Sequence, residues 1–220
     1  MTKNLIIGLG EVGNAIQRVF GNSNTKVYDS FFATLPRGIE DVEYMHICFP
    51  YSESFVGFVQ KYQDLFKPKW TIIHSSVPVG TTKRIENAVH APIRGLHPNL
   101  EKGIRIFPMF IGGTAGSNVA DYFRKVGLKI ILIDQSEATE AGKLLDTEYY
   151  KVCIEFAQRV KVYCDDHDLN FHEVYTLFNQ TYNEGYKDLH HDEFIRPVLQ
   201  PIMTPIGGHC VENNSKLLKE

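Results

Sequence analysis

A glycine-rich segment near the N-terminus has the residue types and the spacing that bind phosphate. The segment from Gly8 to Gly13 carries a G-x-G-x-x-G pattern, which follows an apolar run and opens an amphipathic stretch ending at Phe20. In such a strand-turn-helix unit the glycines permit a tight turn and a close approach of backbone N–H groups to a pyrophosphate, and the helix N-terminus attracts the anion. The pattern therefore predicts a dinucleotide-binding loop. We expect cofactor contacts from Gly8, Gly10, Glu11, Val12 and Gly13.

A carboxylate follows this loop at the spacing that ribose recognition requires. Asp29 ends the second apolar run, 21 residues after Gly8. At the end of the second strand it accepts hydrogen bonds from the adenosine ribose hydroxyls and repels a 2′-phosphate, which favours NAD over NADP. We also expect Pro50 and Ser76 to contact the cofactor, with Ser76 near the nicotinamide end.

The order of elements predicted around these residues is that of a parallel sheet. Strand-like and helix-like segments alternate through about the first 134 residues, as in βαβ units. The sequence predicts strands at Asn4 to Gly8, Lys26 to Asp29, Tyr44 to Phe49, Thr71 to Ser75, Ile93 to Leu96, Met109 to Gly112 and Lys129 to Ile133. It predicts helices at Val12 to Phe20, Glu53 to Phe66, Thr81 to Ala88 and Asn118 to Val126. The fold class expected is α/β, a Rossmann-type doubly wound parallel sheet that forms an NAD-binding domain over residues 1–134.

The remaining residues, 135–220, predict a smaller all-helical segment. A long helical periodicity extends from Glu137 to about His167, and a second helix extends from Phe171 to about Thr181. The stretch from Pro197 to Asn214 is rich in proline and glycine, and we expect it to be largely loop.

Composition excludes several classes of protein. A formal net charge of -3 gives no electrostatic footprint for nucleic acid or an anionic membrane, and no apolar stretch has the length of a membrane span. The four cysteines form no CxxC pair, which argues against a zinc site and favours a reducing, cytoplasmic location. The segment His190 to Glu193 lacks a second ligand pair at metal-binding spacing, so we interpret it as a solvated loop and predict no metal.

Several segments, taken in order, resemble the UDP-glucose/GDP-mannose dehydrogenase family of NAD-dependent nucleotide-sugar oxidoreductases. The glycine-rich loop is shared with many Rossmann proteins, whereas the Ser-Val-Pro-Val-Gly-Thr-Thr and Gly-Gly-His-Cys segments are more specific. The segments that carry the resemblance are 8–13, 76–82, 97–103, 111–113, 140–143 and 205–210.

The resemblance implies a mechanism and an assembly. Family members oxidise a primary alcohol through an aldehyde to a carboxylate, and Cys210 matches their loop cysteine. The thiolate of that cysteine adds to the aldehyde, and the resulting thiohemiacetal loses a hydride to nicotinamide. Water then cleaves the thioester that is formed. Lys143 matches the lysine that stabilises the developing oxyanion. The family's long central helix joins subunits, so the resemblance also implies a homodimer through the helix beginning near Glu137. The expected partner is a small-molecule substrate, with a nucleotide sugar as one candidate.

Three positions depart from the family pattern. Asn99 stands where the family commonly has Glu, Thr147 where it has Asn, and Asn214 where it has Asp. Loss of two carboxylates removes candidate general bases, each of which typically raises the reaction rate by about 10²–10⁴-fold. We keep all three among the expected catalytic positions, with Cys210, Lys143 and Ser76.

A further departure is length, because family members continue past the cysteine loop into a domain that binds the nucleotide of the sugar donor. The resemblance thus implies a shortened form, with a smaller substrate, a site completed by a partner chain, or loss of the full reaction. Two other hypotheses stay open. One is a two-electron dehydrogenase related to β-hydroxyacid and 6-phosphogluconate dehydrogenases, and the other is an NAD-binding regulatory or scaffold protein without turnover.

Overall fold

The chain forms two compact units whose boundary lies between Leu144 and Leu145. The structure is a computed structural model, which describes residues 3–21, 23–29, 39, 41–96, 98–203 and 209–218, without the side chains of His209 and Cys210. The boundary falls inside a long helix, so the first turns of that helix belong to the first unit. Each unit is described by itself below.

The first unit is built on a sheet of seven strands within the described ranges. Its order is β2-β1-β3-β4-β5-β6-β7, and β1 to β5 are parallel, whereas β6 pairs antiparallel with β5 and parallel with β7. The strands are β1 Asn4–Ile7, β2 Thr25–Tyr28, β3 Tyr44–Ile47, β4 Trp70–Ile73, β5 Ala88–His90, β6 Met109–Gly112 and β7 Ile130–Ile133. This arrangement confirms the predicted Rossmann-type α/β fold.

Helices cover the sheet in the first unit and make up the regular structure of the second. In chain order they are α1 Glu11–Phe20, α2 Phe55–Phe66, α3 Leu100–Ile106, α4 Gly116–Lys125, α5 Ser136–Asp166, α6 Phe178–Asp188 and α7 His209–Leu217. A π-helical turn, His172–Leu177, leads into α6, and short 3-10 turns occur at Thr82–Arg84 and Asp192–Phe194. The long helix predicted from Glu137 to about His167 is confirmed as α5, which begins one residue earlier, at Ser136.

The alternating direction of the side chains along β1 explains why helices cover both faces of the sheet. Ile6 belongs to a core cluster with side chains of α1, α3 and α4, whereas Leu5 and Ile7 belong to a second cluster with side chains of α2. Successive side chains of a strand point to opposite faces, so a fully buried apolar strand requires a layer of helices on each side. Burial of all four β1 residues therefore produces the doubly wound arrangement.

Two predicted elements are wrong. The segment from Thr81 to Ala88 is a 3-10 turn followed by β5, because Ala88–His90 pairs in parallel with β4 and buries Val89. The predicted strand from Ile93 to Leu96 is absent, since Pro92 lacks an N–H donor for a sheet ladder and Gly95 has a φ of 156°.

The sequence also missed two helices. α3 begins directly after Asn99 and buries Leu100 and Ile104 in the first core cluster. α7 occupies the end of the stretch expected to be loop, and it begins right after the glycines of that stretch, so the local proline and glycine content does not interrupt it. Residues 204–208 lie outside the described ranges.

Candidate functional site

The glycine-rich loop joins β1 to α1, and two of its glycines are required by the protein itself. Gly8 has a φ of 93°, and a Cβ atom there would lie 3.0 Å from the backbone nitrogen of Phe49. A Cβ atom at Gly13 would lie 1.8 Å from the carbonyl oxygen of Gly8. These two positions therefore fix the tight turn and bring α1 close to it.

Gly10 differs from Gly8 and Gly13 because, apart from its own chain neighbours, no atom of the described residues lies within 4 Å of the position a Cβ atom would take. Its φ of -66° is accessible to any residue, so nothing in the fold requires glycine there. The space beside Gly10 is the space into which a ligand phosphate would approach the backbone. Asn14, which the sequence analysis did not single out, braces the loop by donating from Nδ2 to the carbonyl oxygens of Leu9, at 2.7 Å, and Gly10, at 3.0 Å.

Asp29 lies directly after β2 and is tied to the loop. Its Oδ2 accepts a hydrogen bond of 2.6 Å from the backbone N–H of Leu9. Tyr62 lies in electrostatic range of the same carboxylate: burial raises the pKa of Tyr62, and Tyr28 and Asp29 raise it further. The carboxylate therefore belongs to the loop structure as well as to the surface where a ribose is expected.

A cavity of about 470 Å³ opens beside the loop, at the switch point of the sheet between β1 and β3. In doubly wound sheets ligands bind at this point, outside the carboxyl ends of the strands. The cavity is lined by Ile7, Gly8, Gly10, Asp29, Cys48, Phe49, Pro50, Ser52, Phe58 and Tyr62. Four predicted cofactor-binding residues, Gly8, Gly10, Asp29 and Pro50, therefore share one cavity.

The other predicted cofactor residues, which are Glu11, Val12 and Gly13 of the same loop and the more distant Ser76, do not line this cavity. Glu11 is the exposed first residue of α1, Val12 is half-buried, and Gly13 packs against Gly8. Ser76 is half-buried three residues after the end of β4. Gly8 and Asp29 thus line one cavity, and Ser76 is not among its lining residues.

Three fully or almost fully buried histidines connect the central strands, and sequence reasoning missed them. His74 donates from Nδ1 to the carbonyl oxygen of Ala91, at 2.7 Å, so its Nε2 accepts from His46 Nδ1, at 2.9 Å. Burial lowers the pKa of His74 to about 4, and burial with the neighbouring His74 lowers the pKa of His46 well below its usual value. Both rings are therefore neutral at pH 7, and His46 Nε2 has no hydrogen-bond partner among the described residues.

His90 links the end of β5 to the first turn of α5. Its Nδ1 lies 2.9 Å from Thr139 Oγ1, and its Nε2 lies 3.2 Å from the carbonyl oxygen of Ser75. Burial lowers the pKa of His90 to about 3, and the charge of Lys143 contributes to this lowering. Lys143 is half-buried and lies in electrostatic range of this histidine, on the helix where the sequence placed it.

A buried carboxylate anchors the same turn of α5. Glu140 is fully buried, and its two oxygens accept hydrogen bonds from the backbone N–H groups of Gly80, at 2.6 Å, and Thr82, at 2.8 Å. Both donors belong to the segment that starts at Ser76. Glu140 therefore joins that segment to the helix that carries Lys143, a role that the sequence analysis did not assign.

In the second unit, two positions that depart from the family pattern contact each other. Asn214 Nδ2 donates to Thr147 Oγ1 at 3.0 Å, and Asn214 is only 4% exposed. Cys210 lies in the first turn of α7, one turn before Asn214, and its side chain lies outside the described atoms.

Asn99 has a different environment from the other predicted catalytic residues. It is exposed at the N-cap of α3, and its side chain makes no capping hydrogen bond. His97 lies outside the described residues. The part of the chain that the structure describes contains no group of three metal-ligating side chains and no helix long and apolar enough to cross a membrane.

Comparison of the fold with solved structures finds many dehydrogenases. The chain superposes on a UDP-D-ManNAc dehydrogenase from Pyrococcus horikoshii with a TM-score of 0.76 and 18% identity, over 98% of this chain and 63% of the other. An NDP-N-acetyl-D-galactosaminuronic acid dehydrogenase from Methanosarcina mazei gives a TM-score of 0.67 and 17% identity, over 100% and 60% of the two chains. A 3-hydroxyisobutyrate dehydrogenase from Mycobacterium tuberculosis gives 0.63 and 16%, over 82% and 70%.

These likenesses establish the fold and agree with the family resemblance at that level. No family model matches the sequence, and no curated protein is detectably similar to it. The chain spans less than two thirds of the length of the two nucleotide-sugar dehydrogenases named above.

Proposed function

We propose that the first unit binds NAD at the loop from Gly8 to Gly13 and that the protein is an NAD-dependent oxidoreductase. The observation that carries the proposal is the cavity at the switch point of the sheet, which joins Gly8, Gly10 and Asp29. The open space beside Gly10 fits a group that needs close approach to the backbone. The carboxylate of Asp29 supports NAD over NADP, because a 2′-phosphate would lie against a negative charge.

The residues of the cavity divide between the parts of a dinucleotide. Backbone N–H groups at the start of α1 hold the pyrophosphate, and Asp29 holds the adenosine ribose. The aromatic side chains of Phe58 and Tyr62 offer an apolar wall to a purine ring. Bound there, a nicotinamide dinucleotide supplies a hydride acceptor for the oxidation of an alcohol.

For the substrate, we propose an alcohol whose developing oxyanion is stabilised by Lys143. A cation beside an alkoxide lowers its energy most where water is partly excluded, and Lys143 is half-buried. We further propose Cys210 as the nucleophile that would allow oxidation to continue from aldehyde to acid, with a nucleotide sugar as the candidate substrate. The nucleotide-sugar dehydrogenases among the structural neighbours support this choice of substrate class.

Titration calorimetry with NAD tests cofactor binding through two glycine variants. We expect Gly10→Val to lose at least about tenfold in affinity while its thermal unfolding stays unchanged, because the new side chain enters the ligand's space and its Cβ atom meets none of the described protein atoms beyond its chain neighbours. Gly57→Ala is the matched control, since its Cβ atom on α2 also meets open space. Wild-type protein that gives no heat with NAD or NADP, or wild-type affinity in Gly10→Val, would overturn the proposal.

Two further variants separate the catalytic hypotheses on a panel of alcohols and aldehydes. In a four-electron enzyme, Cys210→Ala loses acid formation, and Lys143→Ala loses alcohol oxidation. In a two-electron enzyme related to β-hydroxyacid dehydrogenases, Cys210→Ala retains full turnover. The structural likeness to a 3-hydroxyisobutyrate dehydrogenase supports this second hypothesis. Tight NAD binding without turnover of any substrate would indicate a regulatory or scaffold protein instead.

A further inference from the structure

The attachment of α7 in the second unit depends on polar contacts from two consecutive residues. Asn214 is the buried residue among the described side chains of α7, 211–217, and it donates to Thr147 Oγ1 on α5. Its neighbours Glu212 and Asn213 are exposed. A buried side-chain amide is costly unless it is hydrogen-bonded, so this contact favours one placement of the helix.

A second contact lies beside the first. Ser215 donates a hydrogen bond to Glu148, and Lys151 Nζ lies 3.3 Å from Ser215 Oγ and 3.8 Å from a carboxylate oxygen of Glu148. These side chains are partly buried, so water screens their charges less than on an open surface. The carboxylate, hydroxyl and ammonium groups are thus hydrogen-bond partners of one another in one connected network.

Together the contacts tie residues 214 and 215 of α7 to residues 147 and 148 of α5. Two adjacent attachments fix both the rotation of α7 about its own axis and its register along α5. α7 has nine residues, which is too few for stable helix formation in isolation. Its position therefore depends on its contacts with α5.

We propose that the Thr147–Asn214 pair and the Glu148–Ser215–Lys151 network form a latch that sets the position of the first turn of α7, where Cys210 lies. Thr147 and Asn214 then act as positioning residues and not as proton-transfer groups, because neither a hydroxyl nor an amide titrates near neutral pH. The role of Cys210 as a nucleophile rests on the proposed function, whereas the latch itself does not.

Hydrogen exchange on the full chain tests the latch directly. We expect the backbone amides of α7 to exchange about tenfold faster in Thr147→Val, which keeps the side-chain shape but removes the acceptor of Asn214. Thr147→Ser retains a hydroxyl and restores slow exchange. Asn213→Ala is the matched control for Asn214→Ala, because Asn213 is exposed on the same helix and should leave exchange unchanged.

Alkylation by iodoacetamide, followed by mass spectrometry of each cysteine, gives a second readout. We expect the Cys210 rate to change at least about fivefold in Thr147→Val and Ser215→Ala, and to return to the wild-type value in Thr147→Ser. Cys153 lies on α5 and is half-buried, so an unchanged Cys153 rate shows that α5 remains folded.

The latch is overturned if α7 exchange is the same in Thr147→Val and wild type, or if Asn213→Ala acts as strongly as Asn214→Ala. Neither measurement uses cofactor or substrate. Failure of NAD binding would therefore leave the latch standing, and normal NAD binding in variants with unchanged α7 exchange would remove the latch alone.

Discussion

At the scale of single residues, the first unit buries three histidines whose hydrogen-bond partners are neutral groups. His46 and His74 form a hydrogen-bonded pair between two core strands, and His90 bonds to Thr139 and Ser75 at the end of β5. Each ring satisfies part of its hydrogen-bonding capacity while neutral. Burial favours the neutral form, so protons bind the unfolded chain more strongly than the folded chain.

We predict that acid destabilises the protein through these histidines. Their folded-state pKa values lie below the unfolded value of 6.5, at about 4 for His74 and about 3 for His90. The stabilising contribution is complete above pH 6.5 and is lost as the pH falls through about 4 for His74 and about 3 for His90. Between the unfolded and folded pKa values the slope is about 1.4 kcal/mol per pH unit for each ring. Urea unfolding at pH 7, 6 and 5 measures this slope.

The control for this prediction is His46→Phe, which places an apolar ring among Phe20 and Phe123. Its free energy of unfolding should depend less steeply on pH than that of wild type, because one titrating ring is gone. An unchanged slope would show that other groups cause the acid sensitivity.

At the scale of elements, the first turn of α5 is fixed to the sheet and to the segment after β4. Glu140 accepts from the N–H groups of Gly80 and Thr82, and a Cβ atom at Gly112 would lie 2.4 Å from Thr139 Oγ1. β6 therefore packs closely against the same turn of α5 that the hydrogen bonds of Glu140 hold in place. Lys143 follows one turn later, so its position depends on this anchor.

We predict that Glu140→Gln destabilises the protein by about 2–4 kcal/mol, because an amide replaces one acceptor with a donor that faces a backbone N–H. Chemical denaturation measures the change in the free energy of unfolding. Glu137→Gln is the matched control, since Glu137 is half-buried and forms an ion pair of 2.9 Å with the exposed side chain of Lys83, so its effect should be much smaller than that of Glu140→Gln. Equal effects of the two variants would exclude the anchor.

At the scale of the whole molecule, α5 carries a stripe of exposed apolar side chains in the second unit. The spacing of four, three, four and seven residues places them along one side of a helix. The stripe consists of Leu145, Tyr149, Val152, Phe156 and Tyr163, with exposed fractions of 54%, 61%, 49%, 49% and 54%. Apolar surface of this kind is typical of a protein–protein interface.

We predict that the protein is a homodimer through this stripe and that Phe156→Glu shifts it to monomer. Placing a carboxylate in an apolar interface leaves a buried charge without a partner, which weakens association by about 100-fold or more. Sedimentation velocity over a range of concentrations measures the shift. Leu65→Glu, an exposed position of the first unit, should keep the dimer. Wild-type protein that sediments as a monomer at every concentration would contradict the prediction.

The amino-acid sequence by itself determined the features whose contacts are local. The glycine spacing from 8 to 13, the apolar strands and the long periodicity from Glu137 predicted the loop, the Rossmann-type sheet and α5, because turns and helices form between residues a few positions apart. Asp29 was predicted from a spacing that reflects one βαβ unit.

Only the tertiary structure decided which distant groups meet. Glu140 and Gly80 are separated by 60 residues, and Thr147 and Asn214 by 67, so no local pattern reveals either contact. The error at β5 has the same cause, since residues 88–90 become a strand through pairing with β4 and not through their own propensity. Local spacing thus encodes the glycine-rich loop, whereas the anchor and the latch around the proposed catalytic residues depend on how the whole chain folds.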